Sequence, residues 1–212
     1  MGDARKLWIE GPAGRIEAAM RSASPVRAAA VLAHPHPLQG GSLHNPVVFH
    51  SDRELNRAGL TTLRFNFRGV GTSEGEYDEG RGEVEDVAAA LSWTRGIVPQ
   101  AELILVGYSF GAWCGIRHAA THPKVRALIA IGLPVTSRFP LPELEQLRCP
   151  LVVVQGSEDE FGSPADVTAL LERCKPDATI RIVEGTSHLF PDRARDAALQ
   201  VRAAAEELIA TL

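Results

Sequence analysis

The sequence predicts an α/β fold, with a mostly parallel eight-stranded sheet that carries helices on both faces. Apolar runs typical of buried strands alternate with segments of helical periodicity along most of the 212 residues. Such alternation indicates a parallel sheet covered on both sides. The length suits one large domain, and the 45% of hydrophobic residues can fill one core. We therefore expect a single domain over residues 1–212.

The first two strands are predicted as a hairpin at an antiparallel edge of the sheet. Residues 5–10 and 15–20 have strand-like patterns, and they flank the turn sequence G-P-A-G at residues 11–14. Six further strands are expected near residues 26–33, 61–67, 102–107, 127–132, 150–155 and 179–183. Most of these are apolar runs, as is typical of strands that are buried on both faces.

Five helices are expected, near residues 46–58, 83–95, 110–121, 164–173 and 193–211. Two of them begin with a capping pattern, because Asn45 precedes Pro46 and Ser163 precedes Pro164. The Asn or Ser side chain can accept hydrogen bonds from the first free amides, and proline fits the first helical position. The last helix has one apolar stripe, which predicts its buried face: Ala197, Val201, Ala204, Leu208 and Ile209.

The turn that follows the strand near 102–107 predicts a serine nucleophile. Residues 107–111 read G-Y-S-F-G, so Ser109 stands between a strand and a helix. This is the G-x-S-x-G pattern of a nucleophile elbow. The serine of such a turn has a strained backbone, and glycine at positions 107 and 111 avoids collisions with the adjacent strand and helix. The pentapeptide alone also fits a glycine-rich turn with an incidental serine, so the partners of Ser109 decide the interpretation.

Two later loops supply a candidate acid and a candidate base. A serine hydroxyl needs a general base within reach and a third group that orients the base. Asp159 follows the strand expected at 150–155, and His188 follows the strand expected at 179–183. The order serine, acid, histidine is the one found with this type of elbow. Glu158 and Glu160 flank Asp159 and remain alternatives for the acid.

The remaining histidines all precede Asp159 and do not fit that order: His34, His36, His44, His50, His118 and His122. His118 and His122 have a metal-ligand spacing, but the glutamate of a zinc-protease helix is missing, and we expect both at the surface. His34 and His36 could form a metal pair, yet no third ligand follows nearby. We expect no metal and no cofactor.

Two backbone amides are expected to form an oxyanion hole, which holds the negative charge that develops on a substrate carbonyl oxygen. Phe110 follows the nucleophile at the start of a helix, where amides have no intrahelical partner. The second amide should come from the loop H-P-H-P-L-Q-G-G at residues 34–41. Proline has no N–H, so we favour His36, with Leu38 as the alternative.

Taken together, these motifs identify the chain as resembling the α/β-hydrolase superfamily, in particular its cap-less bacterial branch of small esterase-like proteins. The resemblance covers nearly the whole chain, through residues 34–41, 45–46, 63–73, 80–83, 107–111, 156–159 and 185–188. It implies an α/β-hydrolase fold and a serine hydrolase of carboxylic esters, with Ser109, Asp159 and His188 as its triad. Thioester or peptide cleavage, and a non-catalytic binding protein of the same fold, remain alternatives.

The sequence also predicts the character of the substrate site. Aromatic and aliphatic side chains close in sequence to the catalytic loops could line an acyl pocket: Trp113, Phe139, Phe161 and Leu189. The segment 133–149 is too short and too rich in proline to build a helical cap. We therefore expect an open cleft and a preference for short, soluble esters.

Composition excludes several other classes of protein. The formal net charge is −4 and there is no block of like charges, so we expect a small-molecule partner, with no nucleic acid and no membrane. The three cysteines lack a C-x-x-C spacing, which suits reduced thiols and a cytoplasmic location. The G-x-G of residues 69–71 fits a structural turn better than a dinucleotide site, because no helix is expected there. Arg68, just before it, could pair with the acidic run at residues 74–79.

Overall fold

The computed structural model describes residues 4–211, and one eight-stranded sheet runs through them. The strands are β1 (Arg5–Gly11), β2 (Gly14–Arg21), β3 (Ala28–Ala33), β4 (Leu60–Phe65), β5 (Leu103–Tyr108), β6 (Ala127–Ile131), β7 (Leu151–Gly156) and β8 (Thr179–Val183). Their order is β1-β2-β4-β3-β5-β6-β7-β8. The β1–β2 and β2–β4 pairs are antiparallel and all others are parallel, which confirms the predicted fold class.

Five helices cover the two faces of this sheet: α1 (Pro46–Arg57), α2 (Arg81–Ile97), α3 (Phe110–Thr121), α4 (Pro164–Cys174) and α5 (Ala194–Ala210). Side chains of α2, α3 and α4 pack on one face, and those of α1 and α5 pack on the other. Strand residues alternate between the two sides, so that Leu105 faces the first group of helices while Ile104 and Val106 face the second. Two hydrophobic layers thus enclose the parallel strands.

The predicted capping signals are present at the starts of α1 and α4. The Asn45 side chain accepts hydrogen bonds from the amides of Val47 and Val48, and the Ser163 hydroxyl accepts one from Asp166. Helix α2 begins two residues earlier than expected, at Arg81. The Glu83 carboxylate explains this start, because it accepts a hydrogen bond of 2.7 Å from the Gly80 amide.

The G-x-G segment forms a turn and opens no helix. Gly69 and Gly71 both have positive φ, and a Cβ at Gly71 would overlap with the side chains of Asn66 and Glu17. The expected pairing of Arg68 with residues 74–79 is wrong. Its guanidinium instead lies 2.8 Å from the Asp86 carboxylate. Asp86 belongs to α2, and the position of this helix places the Asp86 side chain next to the turn.

The chain between β6 and β7 contains a single short 3-10 helix, Pro142–Gln146. Within residues 4–211 no helical lid is built over the carboxyl ends of the strands, in agreement with the predicted absence of a cap. In the same part of the chain, no helix has the length and apolar character needed to cross a membrane.

Candidate active site

Ser109 lies on a sharp turn between β5 and α3. Its backbone has φ 53° and ψ −113°, a conformation that non-glycine residues rarely adopt. A Cβ at Gly107 would overlap with the carbonyl oxygen of Gly111, and one at Gly111 would overlap with the carbonyl oxygen of Ala33. The two glycines therefore allow the close packing that holds the serine in this strained position, as the pentapeptide predicts.

The structure brings the three predicted triad side chains together at the carboxyl edge of the sheet. The Nε2 atom of His188 lies 2.8 Å from the Oγ atom of Ser109. On the other side of the ring, Nδ1 lies 2.9 Å and 3.0 Å from the two carboxylate oxygens of Asp159. Nδ1–H can therefore donate to Asp159, which leaves Nε2 free to accept the serine proton.

Asp159 is buried and is held by several donors. Its Oδ1 atom accepts hydrogen bonds from the amides of Phe161 (2.9 Å) and Gly162 (3.2 Å). Its Oδ2 atom accepts one of 2.8 Å from the side chain of Gln155, the last polar position of β7. The two alternative acids lie elsewhere: Glu158 is exposed, and Glu160 accepts a hydrogen bond from the His188 amide, which lowers the pKa of that carboxyl.

His188 is held from two further directions. The buried hydroxyl of Tyr108 donates a hydrogen bond of 2.8 Å to the His188 carbonyl oxygen. Burial raises the pKa of this tyrosine, so the hydroxyl keeps its proton at neutral pH. The ring of Phe161 packs 4.7 Å from the imidazole, centroid to centroid. The base is thus positioned by the residue that precedes the nucleophile and by the loop of the acid.

The two amides that are expected to form the oxyanion hole are both available as hydrogen-bond donors. Within residues 4–211, neither the Phe110 amide nor the His36 amide donates to another group. Their rings lie 4.9 Å apart, so the two residues are close neighbours. The Leu38 amide is engaged, since it donates to Nδ1 of His36 at 3.2 Å. This arrangement favours His36 over Leu38 as the second donor.

His34, the first histidine of that loop, has a structural role. It is fully buried, its Nε2 atom accepts the Phe67 amide at 3.0 Å, and its Nδ1 atom lies 2.6 Å from the Pro35 carbonyl oxygen. Burial lowers the pKa of His34 to about 4, so the ring is neutral at physiological pH. Among the described residues, no cluster of three or more His, Cys, Asp or Glu could hold a metal ion.

An open cleft of about 570 Å³ lies over Ser109 and His188. Three of the four predicted substrate-binding residues line it, namely Phe139, Phe161 and Leu189. Trp113 does not. It is buried beneath the cleft, where its ring packs 5.4 Å from that of Phe139 and its Nε1–H donates to the Pro140 carbonyl oxygen. Trp113 therefore supports the wall of the cleft without reaching its surface.

Comparisons with known proteins agree with this geometry. A family model described as an alpha/beta hydrolase domain matches residues 26–210. This chain belongs to the α/β-hydrolase family. The hydrolase domain is 36% identical over 194 residues to an uncharacterized protein of Rickettsia prowazekii, covering 87% of this chain and 82% of that protein.

Solved structures with the same fold include one that is described as lacking a lid. A protein from Xanthomonas campestris, described as a serine hydrolase without lid, matches with a TM-score of 0.88, 33% identity, and coverage of 98% of this chain and 95% of that one. A serine hydrolase homologue from Coxiella burnetii matches with a TM-score of 0.85, 33% identity, and coverage of 100% and 99%. An esterase of Pyrococcus furiosus, at 16% identity and a TM-score of 0.80 over 99% and 92%, shares the fold alone.

Several residues of the site were not expected from the sequence. Gln155 is the one polar residue in the apolar strand β7. A buried polar side chain needs a hydrogen-bond partner, so this position indicates a polar group nearby. Arg138 also lines the cleft, and so does Glu160, which the sequence offered only as an alternative acid.

The expectation for the second histidine pair was wrong for one member. His118 of α3 is buried, because that side of the helix packs against α2 and the start of β5. Its ring stacks on His122 at 4.3 Å, and its Nδ1 atom is buried without a hydrogen-bond partner in the described residues. Burial lowers the pKa of His118 to about 4.

Proposed function

We propose that this protein is a serine hydrolase that cleaves small carboxylic esters through an acyl-enzyme intermediate. One observation carries the proposal: the continuous hydrogen-bonded series Ser109–His188–Asp159 opens into a cleft next to two amides that have no hydrogen-bond partner within residues 4–211. A nucleophile, a base, an orienting acid and an oxyanion site are the parts that acyl transfer requires.

In the proposed mechanism, Nε2 of His188 takes the hydroxyl proton as Ser109 Oγ attacks the ester carbonyl. The carbonyl oxygen becomes an oxyanion, which the amides of Phe110 and His36 stabilise. The tetrahedral intermediate then collapses, and His188 gives its proton to the departing alcohol. A water molecule, activated by the same histidine, releases the acid and restores Ser109.

The shape of the site supports short substrates. Because no lid covers the cleft, the far part of a long acyl chain would stay in water. Each methylene that stays in water forgoes roughly 0.8 kcal/mol of binding, so the gain with chain length should end early. We propose a preference for acyl chains of about two to six carbons, on that burial argument. Thioesters and peptides react through the same steps, and the favoured leaving group is set by the alcohol side of the cleft.

A labelling experiment tests the nucleophile. A fluorophosphonate probe should label the wild-type protein, and Ser109→Ala should abolish labelling and reduce ester hydrolysis by about a thousandfold or more. Ser92→Ala provides the control, since Ser92 is exposed on α2 away from the cleft. Labelling that survives Ser109→Ala would reject this nucleophile. A series of nitrophenyl esters tests the size limit, which a steady climb in kcat/KM up to micelle-forming chains would contradict.

A further inference from the structure

The cleft carries one basic and one acidic side chain besides its histidines. Besides the histidines, Arg138 and Glu160 are the only side chains of the acidic and basic residue types that line it in the described part of the chain. The Glu160 carboxylate is occupied by the His188 amide at 3.0 Å. Arg138 is exposed and forms no ion pair within residues 4–211, and its guanidinium lies 5.9 Å from the centroid of the Phe139 ring. Arg138 is therefore a cation that has no ion-pair partner in the described chain and can bind a ligand anion.

The two charges lie toward different parts of a bound ester. His188 must give its proton to the leaving alcohol, so the alcohol lies on the side of the imidazole, where Phe161 packs at 4.7 Å and Glu160 is hydrogen-bonded. The ring of Phe139 lies 6.1 Å from that of His36 and 6.2 Å from that of Phe110, the residues of the oxyanion amides. An acyl part directed away from the imidazole would extend toward this second side, where Arg138 lies beside Phe139.

We propose that Arg138 binds a carboxylate at the far end of the acyl group, so that the preferred substrates are half-esters of short dicarboxylic acids. This inference rests on the proposed esterase function. A guanidinium presents a planar fork of donors that matches a carboxylate, and such a charge-assisted pair is stronger than a neutral hydrogen bond. Gln39 and Thr136 line the same cleft and can add hydrogen bonds to the anion. On the opposite side, Glu160 disfavours a negatively charged alcohol.

A pair of esters of equal chain length measures this preference. The para-nitrophenyl ester of pentanoate is neutral, and the mono-para-nitrophenyl ester of glutarate carries a terminal carboxylate. The quantity to follow is the ratio of kcat/KM for the anionic ester to that for the neutral ester. Arg138→Gln should lower this ratio about tenfold, as expected for a charged hydrogen bond in a solvent-exposed site, and Arg138→Glu should lower it further. Added salt should lower it in the wild type, because ions screen an exposed charge.

Arg148→Gln is the matched control. Arg148 is also exposed, but it lies before β7, at the opposite edge of the sheet from Ser109. Its substitution should leave the ratio unchanged. A ratio that is the same in Arg138→Gln as in the wild type, or that falls equally in Arg148→Gln, would overturn the inference.

Two further readouts separate this inference from the proposed function. Fluorophosphonate labelling of each variant reports the nucleophile alone, so intact labelling with an unchanged ratio rejects only the role of Arg138. Calorimetry of glutarate and pentanoate binding needs no turnover. Glutarate should bind the wild type about tenfold more tightly than it binds Arg138→Gln, with no such difference for pentanoate. Equal glutarate affinities would reject the anion site even if esters were not cleaved.

Discussion

Asp159 and Asp52 are both buried carboxylates, but they differ in the charge of the groups that surround them. Asp52, on α1, lies 2.7 Å from the Arg21 guanidinium and 3.2 Å from that of Arg64, and it also accepts the Thr62 hydroxyl. Asp159 has neutral donors, two amides and a glutamine side chain, together with the imidazole of His188. Asp52 is matched by two permanent cations, whereas the negative charge of Asp159 is matched only when the histidine carries a proton.

This difference separates a structural charge from the one that we propose to be catalytic. Arginine stays protonated, so both guanidinium groups remain positive. Their ion pairs with Asp52 attach α1 to β2 and β4. The Asp159 carboxylate is stabilised by dipoles that do not cancel its charge. It can therefore stabilise the imidazolium that forms when Ser109 loses its proton. Burial of a carboxylate alone does not distinguish the two roles.

The largest expected effect comes from Asp159→Asn. The neutral amide removes the charge and favours the wrong imidazole tautomer, so ester hydrolysis should fall roughly 10⁴-fold while the protein stays folded. Steady-state kinetics measure the loss of activity, and circular dichroism of the same preparation shows whether the variant is folded. If Asp159→Asn kept its activity and Glu158→Gln or Glu160→Gln lost it, the acid would be a flanking glutamate and the comparison would fail.

Asp52→Asn should have the opposite profile. Two buried guanidinium groups would be left without their carboxylate, and the free energy of unfolding should fall by about 3–5 kcal/mol. The fraction that remains folded should still react with the fluorophosphonate probe. Asp196→Asn serves as the control, because its pair with Arg193 is exposed on both sides and should contribute less than about 1 kcal/mol. Equal losses in denaturant unfolding for the two variants would contradict the structural role of Asp52.

A smaller effect on stability is expected at His118, a buried ionisable group whose Nδ1 atom has no hydrogen-bond partner within residues 4–211. Its folded pKa is about 4 against 6.5 for a free histidine, so the unfolded chain binds a proton first as the pH falls. The stability that the folded protein gains by burying the neutral His118 ring is fully present above pH 6.5 and is lost as the pH falls toward 4. Below that window the free energy of unfolding is lower than at neutral pH by on the order of 1 to 3 kcal/mol, given the usual value per pKa unit.

His118→Leu should therefore flatten the loss of stability between pH 6.5 and pH 4. Urea unfolding at several pH values measures this slope. Part of the acid sensitivity should remain, because burial lowers the pKa of His34 to about 4 as well. A slope identical to that of the wild type would show that the His118 ring takes up its proton without cost in the folded protein.

The sequence predicted those parts of the molecule that short-range geometry determines. Only glycine fits at positions 107 and 111, and Asn45 before Pro46 marks a helix start wherever the helix lies in the fold. The alternation of strands and helices also fixed the relative places of Ser109, Asp159 and His188, since the carboxyl ends of parallel strands meet at one edge.

Contacts that depend on how a helix is laid against the sheet could not be predicted. Arg68 meets Asp86 of α2 instead of the nearer acidic run, and His118 turns inward because its side of α3 faces α2. Trp113 lies one turn beyond Ser109, close in sequence to the nucleophile, but the rotation of α3 directs it beneath the cleft. Sequence distance from a catalytic residue says little about which way a helical side chain points.

The uncovered cleft also has a kinetic consequence. In enzymes with lids, opening and closing often limit turnover, and water is admitted only when the lid moves. In the described chain no helical lid lies over the cleft that contains Ser109. For the proposed mechanism we therefore expect no lid motion to limit turnover, and water can reach the acyl-enzyme without a prior opening step. Hydrolysis should therefore outcompete transfer of the acyl group to other alcohols.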